Sequence, residues 1–355
     1  MKVLLKPKDW RRLKEVTNVF FTIHRDLFTQ GQVDVQNLNK VWNVCTDQHT
    51  FYQSDIDDVE ATENSEWYGS LSDIDKMLWE ESVAKSVQMG NKYDKVKVAI
   101  GSSYSPFEAF NFLSAPLQII LENSRNDAYF LKAIFKCFRQ DSKAIEKHID
   151  NRWIKFVMGG GSTVQQVIET ELESFGSGRF TREKKDYLRC FVLLDSDKEY
   201  SGAPLKQGTR NLVQFLSENQ VPHHILEKRE MENYIPAIAF DRVTENRLFV
   251  EAYLRLSPEQ KDYFDLEKGF RDVNFNSLPE EFQTFFSSVN EQDRVVFRAN
   301  DLKRFTGEGR DDFKSECPKL FQLECVDKAS LLERTLHQQN PNELKDIIQK
   351  IREQL

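Results

Sequence analysis

The sequence has few cysteines, no long apolar run and no excess of positive charge. Its five cysteines are scattered without a CxxC pair, which argues against a zinc knuckle or a disulfide framework and favours a reducing cytoplasm. No apolar run approaches the roughly 20 residues of a membrane-spanning helix, and the basic N-terminus does not resemble a secretory signal. Because the net charge is −8, binding to a polyanion would require a local basic patch or a bound metal.

The composition is that of an ordinary globular protein, with 39% hydrophobic and 30% charged residues, and the 355 residues suffice for two or three domains. Residues 1–113 predict a mixed α+β domain of unknown role, residues 114–240 an α/β domain, and residues 241–355 a helical region. Within the first, apolar spacing predicts a helix over residues 10–28. The acidic residues 54–81 predict a solvated loop running into an amphipathic helix over residues 71–87, or an acidic face for a partner.

Short apolar runs alternate with segments of helical apolar spacing through residues 114–240. The alternation predicts a parallel sheet with helices on both faces, in which ligands bind beyond the carboxyl ends of the strands. The predicted strands span residues 117–121, 153–158, 190–194 and 223–226. The predicted helices span residues 127–138, 163–172 and 205–216, and a further helix is predicted at residues 342–355.

Each of three segments that begin with a predicted strand then breaks into acids: Glu122, then Asp195 and Asp197, then Glu230 and Glu232. A carboxylate at the end of a buried strand is costly unless it meets a partner charge or a metal. Asp195 and Asp197 are two residues apart, so in an extended segment both side chains would point the same way and could ligate one ion. Two Mg²⁺ or Mn²⁺ ions about 4 Å apart would clamp the attacking and leaving oxygens of a phosphodiester. Each acid alone could equally be a helix cap or a turn residue.

Two other segments predict contacts with a phosphate backbone. The glycine turn after the second strand contains Gly160, Gly161 and Ser162 and is either a backbone-amide nest or a plain tight turn. Residues 176–189 are either a basic patch that grips nucleic acid or a charged surface loop. The basic residues selected there as nucleic-acid contacts are Arg179, Arg182, Lys184 and Lys185.

The order of these features resembles the TOPRIM domain, which topoisomerases, primases and OLD-type nucleases share. An acid follows the first strand, a glycine turn the second, and a DxD motif the third. In addition, REMENYIP (residues 229–236) is similar to the RE-x-EN-Tyr element of OLD-like and defence-associated TOPRIM nucleases. The resemblance covers residues 114–240. It departs from the family at Asn123, where glycine is usual, and at Asn126, where an acid is usual and Asp127 comes one residue later.

The resemblance implies a TOPRIM-type α/β fold and a metal-dependent endonuclease that cuts DNA or RNA. It implies that Asp195 and Asp197 ligate the metal and that Glu122 is the base or a bridging ligand. Glu230 or Glu232 would complete the second metal shell, and Glu232 is favoured because it belongs to the EN pair.

The family also uses a downstream lysine to stabilise the transition state, for which Lys268 is the first candidate and Lys228 the second. OLD nucleases carry an ATPase domain, but this chain has no GxxxxGK[ST] motif. The resemblance therefore implies a cytoplasmic effector of an antiphage defence system, controlled by a separate ATPase or sensor subunit and with oligomerisation open. The alternatives are a TOPRIM-fold interaction subunit without turnover, and an ordinary α/β domain whose acids are caps and ion-pair partners.

Overall fold

The protein has a mixed α/β fold with two small parallel sheets, seen in a computed structural model. The structure describes residues 18–29, 34–52, 56–89, 98–160, 163–176, 178–244, 246–270, 274–298 and 316–355. The strands are β1 (Asn18–Ile23), β2 (Thr50–Tyr52), β3 (Val98–Ile100), β4 (Leu117–Leu121), β5 (Ile154–Met158), β6 (Cys190–Leu194) and β7 (His223–Ile225).

Helices surround both sheets. Those of the first 150 residues are α1 (Asp26–Thr29), α2 (Val35–Gln48), α3 (Ile56–Glu63), α4 (Glu66–Ser70), α5 (Asp73–Met89), α6 (Pro106–Ser114), α7 (Asp127–Cys137) and α8 (Arg139–Asp150). The later ones are α9 (Thr163–Ser174), α10 (Gln207–Glu218), α11 (Ala237–Phe240), α12 (Arg247–Arg255), α13 (Pro258–Tyr263), α14 (Glu280–Phe285), α15 (Glu291–Arg298), α16 (Lys328–Glu333) and α17 (Glu343–Arg352). Short 3₁₀ turns span Lys184–Tyr187, Met231–Tyr234, Phe275–Ser277 and Cys317–Gln322.

The N-terminal unit contains a three-stranded sheet in the order β2-β1-β3. The predicted helix over residues 10–28 is wrong at residues 18–23, because the run NVFFTI forms strand β1 and is rich in residue types that favour strands, whereas residues 26–28 are helical in α1. Residues 10–17 lie outside the described ranges. The acidic stretch is helical in α3, α4 and α5 rather than a loop, and α5 confirms the helix predicted near residues 71–87. Its amphipathic character is not confirmed, because apolar residues such as Met77 and Val87 are exposed. The core holds Trp42, Trp67 and Trp79, whose ring centroids lie 5.6 to 6.4 Å apart.

The second sheet has four parallel strands in the order β5-β4-β6-β7, which confirms the predicted α/β layout. Its strands pack on helices at both faces because alternate residues of a strand point to opposite sides. Ile119 and Phe191 lie in the cluster with α7 and α8, whereas Ile120 and Val192 lie in the cluster with α9 and α10. The helices predicted over residues 127–138, 163–172 and 205–216 are confirmed as α7, α9 and α10.

The strand order defines where this sheet can bind a ligand. From β4 the chain passes to β5 on one side, and from β6 it passes to β7 on the other. The connections that follow β4 and β6 therefore leave in opposite directions and open a crevice between the carboxyl ends of these neighbouring strands. Glu122 follows β4 directly and Asp195 follows β6 directly.

The C-terminal residues complete the core on one face of the second sheet. One hydrophobic cluster extends from Leu117 through α7 to Leu355, so the predicted boundary near residue 240 runs through a shared core. The N-terminal unit has its own cluster, which also takes in Tyr187. The predicted helical character of residues 241–355 is confirmed where the structure describes them. No helix among the described residues is long and apolar enough to cross a membrane.

Candidate functional site

Asp195 is the centre of the candidate site. It follows the last residue of β6, whose five residues are all buried, and thus lies at the carboxyl end of β6 beside that of β4. Its Oδ1 atom is buried and has no hydrogen-bond partner among the described residues. An ionised oxygen in that position is expensive unless a cation compensates it.

Four other acids act on Asp195. Burial raises the pKa of Asp195 well above its ordinary value, and the charges of Asp127, Glu232, Glu230 and Glu122 raise it further. Asp127 contributes the most among the four and Glu122, which is exposed, the least. Like charges near one another disfavour the ionised form, so these carboxylates share one electrostatic environment.

The register of the strands explains why Glu122 belongs to this group. Gln118 pairs with Cys190 and Ile120 with Val192, so two further residues along β4 bring Glu122 level with Leu194, one residue before Asp195. Neighbouring strands lie about 4.8 Å apart. The three acid-bearing segments predicted from the sequence thus meet at one edge of one sheet.

Asp127 was not among the predicted site residues, although the structure gives it the largest electrostatic effect on Asp195. It is the buried first residue of α7, and its Oδ2 accepts a hydrogen bond of 2.7 Å from the backbone N–H of Asn123. That bond holds the loop after β4 against the helix that follows. The signal in the sequence was an acid one residue later than the family pattern places it.

Asp197 differs from what the sequence predicted. Its φ of 54° lies in the left-handed region, so the segment is not extended there and alternation does not align its side chain with that of Asp195. Its backbone N–H donates to the carbonyl oxygen of Arg229 at 3.0 Å, and its Oδ2 pairs with Lys206 Nζ at 3.1 Å. Both side chains of that ion pair are substantially exposed, so the pair contributes little stability. The prediction that both aspartates ligate one ion remains, but the geometric reason given for it is wrong.

The REMEN segment is held in place by Asn233. Asn233 is fully buried, and its Nδ2 donates to the carbonyl oxygens of Lys261 at 2.8 Å and Phe264 at 2.9 Å. Its Oδ1 accepts from the backbone N–H of Glu230 at 2.9 Å, which forms a capping box with Glu230. The asparagine of the EN pair therefore positions the two glutamates on either side of Met231.

Arg229 is the buried cation beside these acids, and the sequence did not identify it. Its Nε lies 3.2 Å from Glu230 Oε1 and its Nη2 lies 2.8 Å from Asp265 Oδ2. Burial alone would lower the pKa of Arg229, but the charges of Asp265, Glu230 and Asp197 raise it. Arg229 thus stays charged and orients Glu230.

Neither predicted lysine occupies this position. Lys268 is exposed, and its backbone N–H donates a hydrogen bond of 2.7 Å to Asp265 Oδ1. Lys228 is buried, and its Nζ binds Asp262 and the carbonyl oxygen of Arg334. Burial lowers the pKa of Lys228 to about 7. Its Nζ is therefore bound to Asp262 and Arg334 rather than to the acids around Asp195.

The glycine turn closes the same edge of the sheet. Gly159 donates to the carbonyl oxygen of Leu121 at 2.7 Å, and a Cβ on Gly160 would lie 3.1 Å from the carbonyl oxygen of Glu122. The backbones of the two segments approach so closely that Gly159 and Gly160 fit there where a residue with a side chain would crowd its neighbours. Gly161 and Ser162, which were also predicted as nucleic-acid contacts, lie outside the described residues.

The basic segment lies at the opposite edge of the sheet. It precedes β6, and the five residues of that strand separate the segment from Asp195 by about 16 Å at roughly 3.3 Å per residue. Arg182 binds Asp186 and the carbonyl oxygen of Ser103, so it faces the N-terminal unit.

The other basic residues of the segment are also placed away from the acids. Arg179 lies 5.3 Å from the centre of the Phe107 ring, and Lys185 pairs with Glu183 at 2.7 Å. Lys184 is exposed. The structure thus does not bring Arg179, Arg182, Lys184 and Lys185 together with the acids.

The residues around Asp195 suit a hard divalent cation by their chemistry. All the donors are carboxylate oxygens, which Mg²⁺ and Mn²⁺ prefer, and Asp195 Oδ1 is buried without a hydrogen bond. Across the described ranges, however, no group of three or more His, Cys, Asp or Glu side chains is assembled closely enough to hold an ion. The carboxylates thus lie near enough to perturb one another without forming a ready coordination sphere.

Comparison with known proteins adds no relative. No family model, no curated protein and no solved structure matched the chain. The TOPRIM resemblance rests on the motifs alone.

Proposed function

We propose that the chain is a Mg²⁺- or Mn²⁺-dependent TOPRIM endonuclease that cleaves phosphodiester bonds of DNA or RNA. The observation that carries the proposal is the position of Asp195, whose buried Oδ1 atom makes no hydrogen bond within the described residues and which four other acids surround electrostatically. This arrangement lies at the reversal of strand order, where parallel sheets bind ligands. A divalent cation is the partner that would offset so much negative charge in one crevice.

Each residue has a role in this proposal. Asp195, with Asp127 and Glu232, would hold the metal, and Arg229 would fix Glu230 beside them. Asp197 would join them by exchanging its exposed pair with Lys206 for the metal. Bound divalent ions, two in the family mechanism, neutralise phosphate charge and lower the pKa of a bound water.

Glu122 is the residue best placed to accept a proton. It is exposed at the mouth of the crevice, where water and substrate have access, whereas Asp195 and Asp127 lie deeper. Its role as general base would require it to lie within hydrogen-bond reach of the attacking water when substrate is bound.

Metal binding is the first test because it does not depend on knowing the substrate. Calorimetric titration with Mn²⁺ should show binding to the wild type and a large loss of affinity in Asp195→Asn and Asp127→Asn. Asp150→Asn is the matched control, since Asp150 is an exposed aspartate at the end of α8. Equal binding by all four proteins would refute the site.

Cleavage is the second test. Supercoiled DNA and tRNA would be incubated with the protein and Mg²⁺ or Mn²⁺, and the wild type compared with Glu122→Gln and Asp195→Asn. Loss of cleavage in both variants, with the Asp150→Asn control active, is the expected result. Cleavage that survives both substitutions would remove these residues from the mechanism.

A second candidate function is a TOPRIM-fold interaction subunit without turnover. The observation that favours it is that no metal-binding group of acids is assembled among the described residues. It predicts a folded wild type that neither binds Mn²⁺ nor cleaves either nucleic acid.

The biological setting that we propose is antiphage defence under the control of a separate ATPase or sensor subunit. It is supported by the family resemblance and by the lack of a GxxxxGK[ST] motif in this sequence. Cells that express the chain with a co-encoded ATPase should resist phage infection, and the Asp195→Asn variant should abolish the resistance.

A further inference from the structure

A cavity lies at the amino edge of the second sheet, away from the acids. Its volume is about 180 Å³, the space of about six water molecules at roughly 30 Å³ each. The N-terminal unit, the start of β6 and the last residues of the chain all contribute to its walls, which are largely apolar. Phe112, Leu188, Arg189 and Leu355 are among the side chains that line it.

Arg189 is the charged group of this cavity. Its Nη1 donates to the carbonyl oxygens of Leu113 at 3.1 Å and Ala115 at 2.8 Å, at the C-terminal end of α6. Its Nη2 donates to the carbonyl oxygen of Gln354 at 3.3 Å. A cation is favourable at a helix C-terminus, so half of the guanidinium has a structural role.

The other half of the guanidinium has no such role. A guanidinium carries five N–H groups, and Arg189 Nε makes no hydrogen bond with any described residue. No described carboxylate lies within ion-pair distance of Arg189, and burial lowers its pKa to about 10, which leaves it charged at neutral pH. Arg189 is half-buried, and a partly desolvated cation without a counter-ion is costly, so an anion in the adjoining cavity would relieve that cost.

We propose that this cavity binds a small organic anion, whose carboxylate or phosphoryl group pairs with Arg189 and whose apolar body packs on Phe112, Leu188 and Leu355. The pairing uses the Nε edge of the guanidinium, which presents parallel N–H groups to two oxygens of one anion. Inorganic phosphate alone would leave the apolar walls uncovered, so a hydrophobic body is part of the recognition.

The site is independent of the proposed nuclease centre. Arg189 immediately precedes β6, whereas Asp195 immediately follows it, so the length of the strand separates the two. Failure of the metal-binding test would therefore leave this proposal intact, and failure here would leave the nuclease proposal intact.

The test compares ligands of one shape and different charge. The full chain would be titrated calorimetrically with benzoate, phenyl phosphate and the neutral benzamide. We expect at least one of the two anions to bind at least about tenfold more tightly than benzamide, since hydrogen bonds to a charged group discriminate on that scale. Equal affinities for all three, or no binding of either anion at millimolar concentration, would overturn the proposal.

Variants locate the binding. Arg189→Gln should remove the preference for the anion, but it also removes hydrogen bonds at the end of α6 and can unfold the chain. Leu188→Trp is the second variant, because it fills the cavity and leaves Arg189 in place; it should weaken anion binding at least about tenfold with an unchanged circular dichroism spectrum. Arg210→Gln, a change at an exposed arginine of α10, is the matched control and should bind as the wild type does. A folded Leu188→Trp protein with wild-type affinity would place the ligand elsewhere and refute the assignment.

Discussion

Glu108 joins the N-terminal unit to the segment that leads into β6, and its removal should weaken that junction in a pH-dependent way. Its Oε1 accepts hydrogen bonds from the Thr181 N–H at 2.6 Å and the Tyr187 hydroxyl at 2.5 Å, and its Oε2 accepts from the Ser105 N–H at 2.8 Å. The residue is 1% exposed. Burial alone would raise the pKa of Glu108, but the hydrogen bonds from Tyr187, Thr181 and Ser105 outweigh it and hold the pKa at about 2.

The magnitude follows from the difference between folded and unfolded states. A pKa lowered from 4.5 to about 2 corresponds to about 3 kcal/mol at roughly 1.4 kcal/mol per unit. Since the folded-state pKa is the lower one, this stabilisation is complete above pH 4.5 and is lost as the pH falls towards 2. Glu108→Gln removes the charge and places an amide where four donors converge, the fourth being the Thr181 hydroxyl at 2.9 Å, so it should cost about 3 kcal/mol at neutral pH.

Urea unfolding measures this difference, with the fluorescence of Trp42, Trp67 and Trp79 as the probe in the N-terminal core. The difference in unfolding free energy between wild type and Glu108→Gln should stay constant from pH 7 to about pH 5, and it should shrink between pH 4.5 and pH 3. Glu183→Gln is the control, because Glu183 is an exposed glutamate of the same segment. A gap that stays constant over this range would refute the electrostatic origin of the stabilisation.

Three other predictions concern the second sheet. Burial and four like charges raise the pKa of Asp195, so the free energy of unfolding of the wild type should fall by up to about 1.4 kcal/mol per pH unit above pH ~4, until the pH passes the folded-state pKa. Urea unfolding of Asp195→Asn should lack this decline. Parallel curves of unfolding free energy against pH for the two proteins would contradict the prediction. Asn233→Ala leaves two carbonyl oxygens and one N–H without their Asn233 partner and should lower the free energy of unfolding, measured by thermal unfolding, by about 2–4 kcal/mol. A loss below about 0.5 kcal/mol would show that contacts other than those of Asn233 hold residues 229–233 in place. Gly159→Ala would put a Cβ 2.6 Å from Ile120 Cγ2 and should lower the free energy of unfolding by about 1–3 kcal/mol. Gly176→Ala is the control and should be nearly neutral, because a Cβ there has nothing within 4 Å. Equal melting temperatures of the two variants would refute the steric explanation.

Local patterns were enough to identify the elements of the second sheet. The strands at residues 117–121 and 190–194 have the predicted bounds, because short apolar runs followed by acids have few other stable forms. The same reasoning failed at residues 18–23, where a segment with helical apolar spacing pairs as a central strand between β2 and β3. Pairing with strands distant in sequence decided that element, and no local pattern carries that information.

The roles of individual side chains needed the fold. The sequence identified Asp195 but could not show that Asp127 acts on it more strongly than Glu122 does, since this depends on how the loop after β4 folds onto α7. It also offered the basic segment as a nucleic-acid contact, and only the fold shows that this segment, which precedes β6, lies at the other edge of the sheet from the acids that follow β6.

By itself, the sequence determined that acids directly follow two buried strands of a parallel α/β sheet, because hydrophobic runs and their abrupt polar endings are local properties of the chain. Only the tertiary structure decided that β4 and β6 are neighbours at the reversal of strand order, and hence that Glu122 and Asp195 share a crevice. It also decided that the backbone at Asp197 is left-handed rather than extended, and that Arg229 rather than Lys268 accompanies the acids. These outcomes depend on strand order, backbone conformation and burial, which arise only when distant segments pack together.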